Sequence, residues 1–333
     1  MADLTTSYMG IALENPVVAG ASTLTSNMDS IRKLEDAGAG ALVTSSLFEE
    51  QIQLDHLKMS EEIAKYDDWS AEMTSIFPKL EHSGPDAHLT WVRRAKEAVD
   101  IPVIASLNAV NRTTWVDWAE KLAQTGVDGL ELNFYATPKD WNARSEGIEE
   151  EQIEAVKEVK RRVKIPVAVK LSPYYTSPLS FIRALDAAGV DGLVLFNRLF
   201  QPKIDIETER SDLSFNLSSE NEHRLALRFA GILHGEVKAS VCASGGIQSA
   251  SNIIELFLAG ADIVQVASVL FLKTVGYLGT MIEEIEGWME KKGYASLSEF
   301  RGKLDKRHNP DDWAYNRGQY VMTLLNAKEY LRR

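Results

Sequence analysis

Two turns near the end of the chain combine residue types that bind phosphate. Residues 241–247 read Val-Cys-Ala-Ser-Gly-Gly-Ile, so an apolar run meets paired glycines and then a helical pattern over residues 249–258. After Gly260-Ala261-Asp262, a second apolar run over residues 263–267 ends at Ser268. Such strand-to-helix turns expose backbone N–H groups and a helix N-terminus, which together favour a phosphate. The pattern predicts a phosphate site at these two turns.

Lys170 is the side chain with the clearest chemical potential. It interrupts the apolar run 167–171, where Ala168 and Lys170 share one face of a predicted strand. A lysine that points into a buried interior is costly unless an anion pairs with it. The residues alone leave four interpretations open: a Schiff-base amine, a phosphate clamp, a cation beside an electron-rich ring, or a lysine that snorkels at the rim.

Asn133 and Asn197 end two further apolar runs. An amide at the end of a strand can offer both donors and acceptors to a ring-shaped ligand, or it can stabilise the bend into the next loop. The six histidines show no metal-ligand spacing, so no metal site is predicted. Asp128 and Asp191 begin strands, and we interpret both as structural.

Eight short apolar runs alternate with helical patterns, and this order must position the candidate residues. Continuous apolar runs suit parallel strands that are buried on both faces, and eight β–α units favour a (β/α)8 TIM barrel, an α/β fold, as a single domain over residues 1–333. A short N-terminal hairpin is expected before the barrel. The predicted strands are Val17–Ala21, Ala41–Ser45, Val103–Leu107, Gly129–Asn133, Val167–Leu171, Gly192–Phe196, Ala239–Ala243 and Ile263–Ala267.

An internal repeat supports the barrel. Ile101-Pro102-Val103 recurs as Ile165-Pro166-Val167, and Gly126-Val127-Asp128-Gly129 recurs as Gly189-Val190-Asp191-Gly192. In each copy the Gly-Val-Asp-Gly motif leads into a strand closed by an asparagine, Asn133 in the first and Asn197 in the second. Both asparagines are therefore expected at the C-terminal mouth. Barrel units also resemble one another because they solve the same packing problem, and repetition alone does not show function.

Two long insertions follow strand ends and are therefore expected over the mouth, where long loops commonly cover a ligand. The first, Ser46 to Pro85, is polar and includes Tyr66-Asp67-Asp68-Trp69. The second, Asn197 to Ser219, contains residues 202–206, which predict a short hairpin arm.

Composition excludes several classes of function. The formal net charge of −12 is opposite to what binding to nucleic acid requires. Cys242 is the only cysteine, so the chain can form no internal disulfide and no Cys-ligated iron–sulfur cluster. Because no signal peptide is recognised at the N-terminus and no apolar run reaches roughly 20 residues, we expect a cytoplasmic protein without a membrane partner.

Several motifs together give the chain a resemblance to a known family. It resembles the dihydroorotate dehydrogenases, and in particular the soluble class 1 enzymes, over nearly its whole length. The shared motifs occur in the family's order and spacing: Asn15-Pro16, Val43-Thr44-Ser45-Ser46, Leu130-Glu131-Leu132-Asn133, Val169-Lys170-Leu171-Ser172-Pro173, Ser244-Gly245-Gly246-Ile247, Gly260-Ala261-Asp262, Gly293-Tyr294 and Phe300-Arg301-Gly302-Lys303-Leu304.

The resemblance implies an FMN cofactor and specific roles. In such enzymes a hydride passes from dihydroorotate C6 to the flavin while a base removes a C5 proton on the opposite face. Lys170 would lie against the flavin ring, where a cation stabilises the reduced, anionic form. Asn133 and Asn197 would face the substrate. The FMN phosphate would bind Gly245, Gly246, Ala267 and Ser268, and the ring would be lined by Ala21, Ser22, Ser46 and Asn108.

The substrate side departs from the family pattern. The family reads Asn-(Leu/Val)-Ser-(Cys/Ser)-Pro-Asn after strand four, with Cys or Ser as the base, whereas residues 133–139 read Asn-Phe-Tyr-Ala-Thr-Pro-Lys. Counting from the asparagine puts Ala136 at the base position, and counting back from the proline puts Thr137 there. Only Thr137 could act as a base.

Other groups that hold orotate in the family are also changed. The asparagine of the loop after strand two is missing, Ser45 replaces a lysine, and Leu217-Ser218-Ser219 replaces a glycine-rich turn. Loss of one buried charged contact typically costs several kcal/mol of binding. Arg144, Lys139 or Lys203 could compensate.

Four functions therefore stay open. The first is oxidation of dihydroorotate, which would place the protein in pyrimidine biosynthesis, and the second is flavin chemistry on another ene or ring substrate. The third is a flavin electron-transfer subunit, and the fourth is a phosphosugar lyase or isomerase with Lys170 as its amine. A homodimer is expected from the resemblance, and use of NAD would require a separate electron-transfer partner.

Overall fold

Eight parallel strands form a closed barrel in a computed structural model of the chain, which describes residues 2–53, 85–135, 141–199, 201–212, 217–311 and 313–327. The chain also has short strands outside the barrel. All described strands, in chain order, are β1 (Thr6–Tyr8), β2 (Ile11–Leu13), β3 (Val17–Ala19), β4 (Ala41–Val43), β5 (Leu47–Phe48), β6 (Val103–Asn108), β7 (Gly129–Asn133), β8 (Val167–Leu171), β9 (Gly192–Leu195), β10 (Lys203–Asp205), β11 (Arg210–Asp212), β12 (Ser240–Ser244) and β13 (Ile263–Val266).

The barrel closes where β4 pairs with β6. The order around it is β4-β3-β13-β12-β9-β8-β7-β6, and β5 extends the pairing along the end of β6. All eight predicted barrel strands are therefore confirmed, with ends that differ by at most two residues.

Helices surround the barrel. They are α1 (Met28–Asp36), α2 (Pro85–Ala98), α3 (Arg112–Ala123), α4 (Ser145–Arg162), α5 (Pro178–Ala187), α6 (His223–Leu233), α7 (Ala250–Ala259), α8 (Ser268–Leu272), α9 (Tyr277–Lys292) and α10 (Arg317–Leu325). Their apolar faces cover the outward side chains of the strands, such as Val17, Leu42 and Val169. No described helix combines the length and hydropathy that would let it cross a bilayer.

Three aspartates join neighbouring strands at the N-terminal end of the barrel. Asp128 Oδ2 accepts a hydrogen bond from Val103 N at 2.7 Å. Asp191 Oδ2 accepts from Val167 N and Asp262 Oδ2 accepts from Val241 N, each at 2.7 Å. The repeat found in the sequence thus encodes the contact made by Asp128 and by Asp191, and Asp262 makes the same contact outside the repeat. The structural interpretation of Asp128 and Asp191 is correct.

The N-terminal hairpin, β1 with β2, closes the same end of the barrel. Tyr8, Met9 and Leu13 pack with inward side chains of the barrel strands, among them Ile104 and Val194. Because this end is filled by apolar side chains, an entrance to the barrel interior is left at the C-terminal mouth.

The two insertions are described to different extents. The second contains the antiparallel pair β10 and β11, so a hairpin arm is present. It is longer than predicted, because residues 202–206 supply only β10 and β11 follows at residues 210–212. The first begins with β5 and a helical segment at residues 49–53. Most of it, including Tyr66-Asp67-Asp68-Trp69, lies outside the described residues.

Candidate active site

A cavity of about 1310 Å³ opens at the C-terminal mouth of the barrel. Every described residue that was expected to contact FMN or the substrate ring contributes to its wall, although these residues come from strands and loops spread over most of the chain. They are Ala21, Ser22, Ser46, Asn108, Asn133, Lys170, Asn197, Gly245, Gly246, Ala267 and Ser268. Thr137, the predicted base, lies outside the described residues, as does Ala136.

The predicted phosphate turns meet a third segment at one side of the cavity. Gly246 N donates to Ser218 Oγ at 3.1 Å, and Ser218 Oγ lies 2.8 Å from Ser268 Oγ. Ser218 N donates to Ser268 Oγ at 3.0 Å. The turns after β12 and β13 therefore form one polar cup together with the loop that precedes α6.

The paired glycines have different steric surroundings. Gly245 and Gly246 have φ angles of 89° and 68°, which L-residues with side chains rarely adopt. A Cβ on Gly246 would lie 2.5 Å from His223 N, so the turn packs tightly against the start of α6. A Cβ on Gly245 would meet only Phe196 O, at 3.9 Å. The backbone at Gly245 thus faces open space where a phosphate can approach.

Lys170 lies on the cavity floor and is not a snorkelling rim lysine, because it is only 8% exposed. Its Nζ donates to Gln265 Oε1 at 3.1 Å and lies 3.7 Å from Glu131 Oε1. Gln265 Nε2 in turn donates to Glu131 Oε2 at 2.5 Å. The expected anionic partner of the buried ammonium is therefore Glu131, with Gln265 linking the two.

The two asparagines meet at the mouth, as the repeat predicted. Asn197 Nδ2 donates to Asn133 Oδ1 at 2.7 Å, and Asn197 Oδ1 accepts from Arg198 N at 2.8 Å. Register explains the meeting, because Asn133 pairs with Lys170 across β7 and β8, and Asn197 N donates to Leu171 O. The amides and the ammonium therefore line one cavity.

A buried carboxylate shapes the wall near Asn108. Glu49 accepts hydrogen bonds from Val110 N at 2.5 Å and from Asn111 N at 2.8 Å, and its side chain also accepts from Gln53 Nε2. Burial alone would raise the pKa of this carboxyl, but these hydrogen bonds outweigh it and hold the pKa below its usual range. Glu49 thus ties the loop after β6 to the segment after β5.

Several residues of the site were missed by sequence reasoning. Ser218 belongs to the segment that replaces a glycine-rich turn of the family, yet its hydroxyl completes the cup. Glu131 and Gln265 each interrupt a buried apolar strand on its inward face, which is the same signal that identified Lys170. The wall also includes Phe48, His88, Trp91, Arg94 and Arg198.

The cations that line the cavity are not the ones expected to compensate for the lysine that Ser45 replaces. Arg144 lies beside Glu146 and Lys203 beside Asp212, and neither is among the described lining residues. Lys139 lies outside the described residues. Arg94 and Arg198 do line the cavity, and Arg198 Nε is 3.1 Å from Glu222 Oε2.

Comparison with known proteins places the chain in a family. The family model described as dihydroorotate dehydrogenase matches residues 80–289. A dihydroorotate dehydrogenase B (NAD(+)) catalytic subunit of Thermoplasma volcanium is 28% identical over 312 residues, which are 92% of this chain and 100% of the relative. A dihydroorotate dehydrogenase A (fumarate) of Lactobacillus helveticus is 30% identical over 210 residues, which are 62% of this chain and 68% of the relative.

The matched region contains most of the candidate active site. Residues 80–289 run from just before α2 into α9 and include Asn108, Asn133, Lys170, Asn197 and the phosphate turns. The resemblance inferred from short motifs and the expectation of an oxidoreductase of this kind are thereby confirmed: the chain belongs to the dihydroorotate dehydrogenase family.

Proposed function

We propose that the protein is an FMN-dependent oxidoreductase that transfers a hydride between FMN and dihydroorotate or a related ring substrate. The observation that carries this proposal is that one cavity is lined by the glycine cup, the buried Lys170 and the paired Asn133 and Asn197. A cup for phosphate, a cation and two amides are the groups that a flavin nucleotide and a polar ring substrate require.

FMN fits the residues that are present. Gly245, Gly246, Ala267 and Ser268 would hold its phosphate, because the backbone at Gly245 faces open space and Ser218 arranges hydroxyl and amide groups around the turn. Ala21, Ser22, Ser46 and Asn108 would line its ring system. When bound, FMN supplies the two-electron chemistry that no side chain of the protein can perform.

The protein side chains would orient the substrate and move one proton. Asn133 and Asn197 share four N–H donors and two carbonyl oxygens, and only one N–H···O bond joins them. They can therefore hydrogen-bond a ring that carries both carbonyl and N–H groups. We assign Thr137 the role of the base that removes the substrate proton.

A second candidate function uses a different substrate. It is flavin chemistry on another ene or ring compound, and the observation that favours it is the altered set of cations. Ser45 lines the cavity where the family has a lysine, whereas Arg94 and Arg198 line it from α2 and from the segment that follows β9. A substrate with its anionic group in a different position would suit this arrangement.

The electron acceptor is proposed to come from outside this chain. A relative named as an NAD(+)-linked catalytic subunit and another named for fumarate support a separate electron-transfer partner or a small soluble acceptor. As part of the same proposal, the protein is a cytoplasmic homodimer with a small-molecule substrate. If that substrate is dihydroorotate, the protein acts in pyrimidine biosynthesis.

Anaerobic reduction of the bound flavin tests the proposal. The purified protein is expected to carry FMN, and millimolar dihydroorotate should bleach its absorbance. Thr137→Ala should keep FMN and lose bleaching. Bleaching by another ring substrate but not by dihydroorotate would favour the second candidate, and a chain that neither retains nor binds FMN would refute both.

A further inference from the structure

A buried carboxylate lies beneath Lys170, and the proposed reaction does not use it. Glu131 is 1% exposed and Gln265 is 2% exposed. Glu131 lies on β7 and Gln265 on β13, and three barrel strands separate β7 from β13 in either direction. Their hydrogen bond therefore crosses the barrel interior and forms part of the cavity floor.

The chemistry of the three groups determines how they are connected. Lysine only donates hydrogen bonds and a carboxylate only accepts them, whereas an amide does both. Gln265 Oε1 can therefore accept only from Lys170, and its Nε2 can donate only to Glu131. This orientation fixes the amide of Gln265 and holds both charges in place.

One oxygen of Glu131 has no hydrogen-bond donor among the described residues. This atom, Oε1, is buried, and its nearest cation is Lys170 Nζ at 3.7 Å. An unsatisfied buried carboxylate oxygen is costly, and well-packed apolar side chains commonly replace buried ion pairs without loss of stability. The arrangement is therefore better suited to controlling charge than to stabilising the barrel.

The ammonium of Lys170 would face two negative groups once a bound flavin is reduced to its anionic form. Glu131 lies below it, and Lys170 also lines the cavity above, where a flavin would bind. The charges of Lys170 and Glu131 sum to zero at the floor. A reduced, anionic flavin would therefore meet less net positive charge than an isolated lysine would provide.

We propose that Glu131 is a positioning residue that acts through Lys170 as its counter-charge and lowers the reduction potential of the bound flavin. This inference rests on the proposed function, because it assumes that FMN binds above Lys170. Gln265 completes the arrangement by holding the carboxylate and the ammonium from the opposite wall. Glu131 and Gln265 can then influence the flavin through Lys170 without touching the substrate.

Measurement of the flavin midpoint potential tests this inference. In Glu131→Gln holoprotein, the potential should move to a more positive value than that of the wild type measured in the same buffer. Glu131→Asp, which keeps the charge, should restore most of the wild-type value. The matched control is Glu120→Gln, which removes an exposed partner of Arg162 and should leave the potential unchanged. A Glu131→Gln potential equal to or below that of the wild type would overturn the inference.

A second measurement uses the full chain without flavin and separates this inference from the proposed function. Glu131→Gln and Lys170→Met should each lower the urea midpoint of unfolding, because each leaves a buried group unpaired. The double variant should lose less than the sum of the two single losses. Strictly additive losses would show that the two groups are not coupled and would overturn the inference, even if the protein binds FMN.

Discussion

Gly245 shows how one missing side chain can determine a binding surface. Its φ of 89° belongs to the left-handed region, and its Cβ position is open toward the cavity. Gly189 has the same φ of 89° and no atom within 4 Å of its Cβ position, but it precedes β9 at the other end of the barrel. The two glycines therefore share a left-handed backbone conformation and differ in what they face.

Gly245→Ala is expected to weaken FMN binding by about tenfold to a hundredfold, because the methyl group would occupy the approach of the phosphate and disturb charge-assisted N–H contacts. The dissociation constant can be measured by flavin fluorescence. Gly189→Ala is the matched control and should cost about 1 kcal/mol of folding stability with FMN affinity intact. Equal loss of FMN affinity in both variants would refute the role of Gly245 in the cup.

At the scale of elements, one buried carboxylate joins the segment before α10 to the end of α6. Asp305 is 0% exposed, and His234 Nδ1 donates to its Oδ2 at 2.8 Å. Arg307 Nη2 donates to the same oxygen at 3.0 Å, and His308 Nδ1 donates to Oδ1 at 2.8 Å. Burial alone would raise the pKa of Asp305, but these donors outweigh it and hold the pKa far below the usual range.

This pKa direction predicts a pH-dependent contribution to stability. A carboxyl whose pKa is lowered on folding stabilises the protein above its unfolded pKa of about 4, and that contribution is lost as the pH falls below this value. Asp305→Asn should therefore lower the free energy of unfolding by about 3 kcal/mol near pH 7. Urea unfolding at several pH values should show the difference between variant and wild type shrinking below about pH 4. A difference that stays constant down to pH 2 would contradict this assignment.

At the scale of the whole molecule, the barrel has one closed end and one open end. The N-terminal hairpin places Tyr8 in the closed end, where it is 1% exposed. Burial raises the pKa of its phenol well above the usual value, and no described residue hydrogen-bonds to its hydroxyl. The ring of Tyr8 thus fills the closed end, and its hydroxyl adds no hydrogen bond with a described residue that would stabilise the fold.

Tyr8→Phe should therefore change the free energy of unfolding by less than about 1 kcal/mol, or increase it slightly, because a buried unpaired hydroxyl is removed. Tyr8→Ala should lose about 3–5 kcal/mol, because it leaves a cavity in the closed end. Urea titration of both variants measures these changes. A loss from Tyr8→Phe as large as that from Tyr8→Ala would show that the hydroxyl has a partner.

The barrel strands, the repeat and Lys170 could be predicted from the sequence, because each depends only on residues that are close together in the chain. The apolar runs predicted the eight barrel strands in chain order, and the recurring Gly-Val-Asp-Gly motif predicted that β7 and β9 begin in the same way. Lys170 was found because one charge in a buried strand is unusual. Ser218 was not found, because a serine in a loop carries no signal until the loop is seen against Gly246 and Ser268.

The sequence by itself determined the eight-unit barrel, the two turns after β12 and β13 and the inward position of Lys170. The pattern of apolar residues, the residue types that turns require and the cost of burying a charge each act over a few neighbouring residues. Only the tertiary structure decided that Glu131 and Gln265 meet across the barrel, that Ser218 completes the cup, and that Arg94 and Arg198 rather than Arg144 and Lys203 line the cavity. These contacts depend on barrel closure and on the paths of loops, which join residues far apart in the chain.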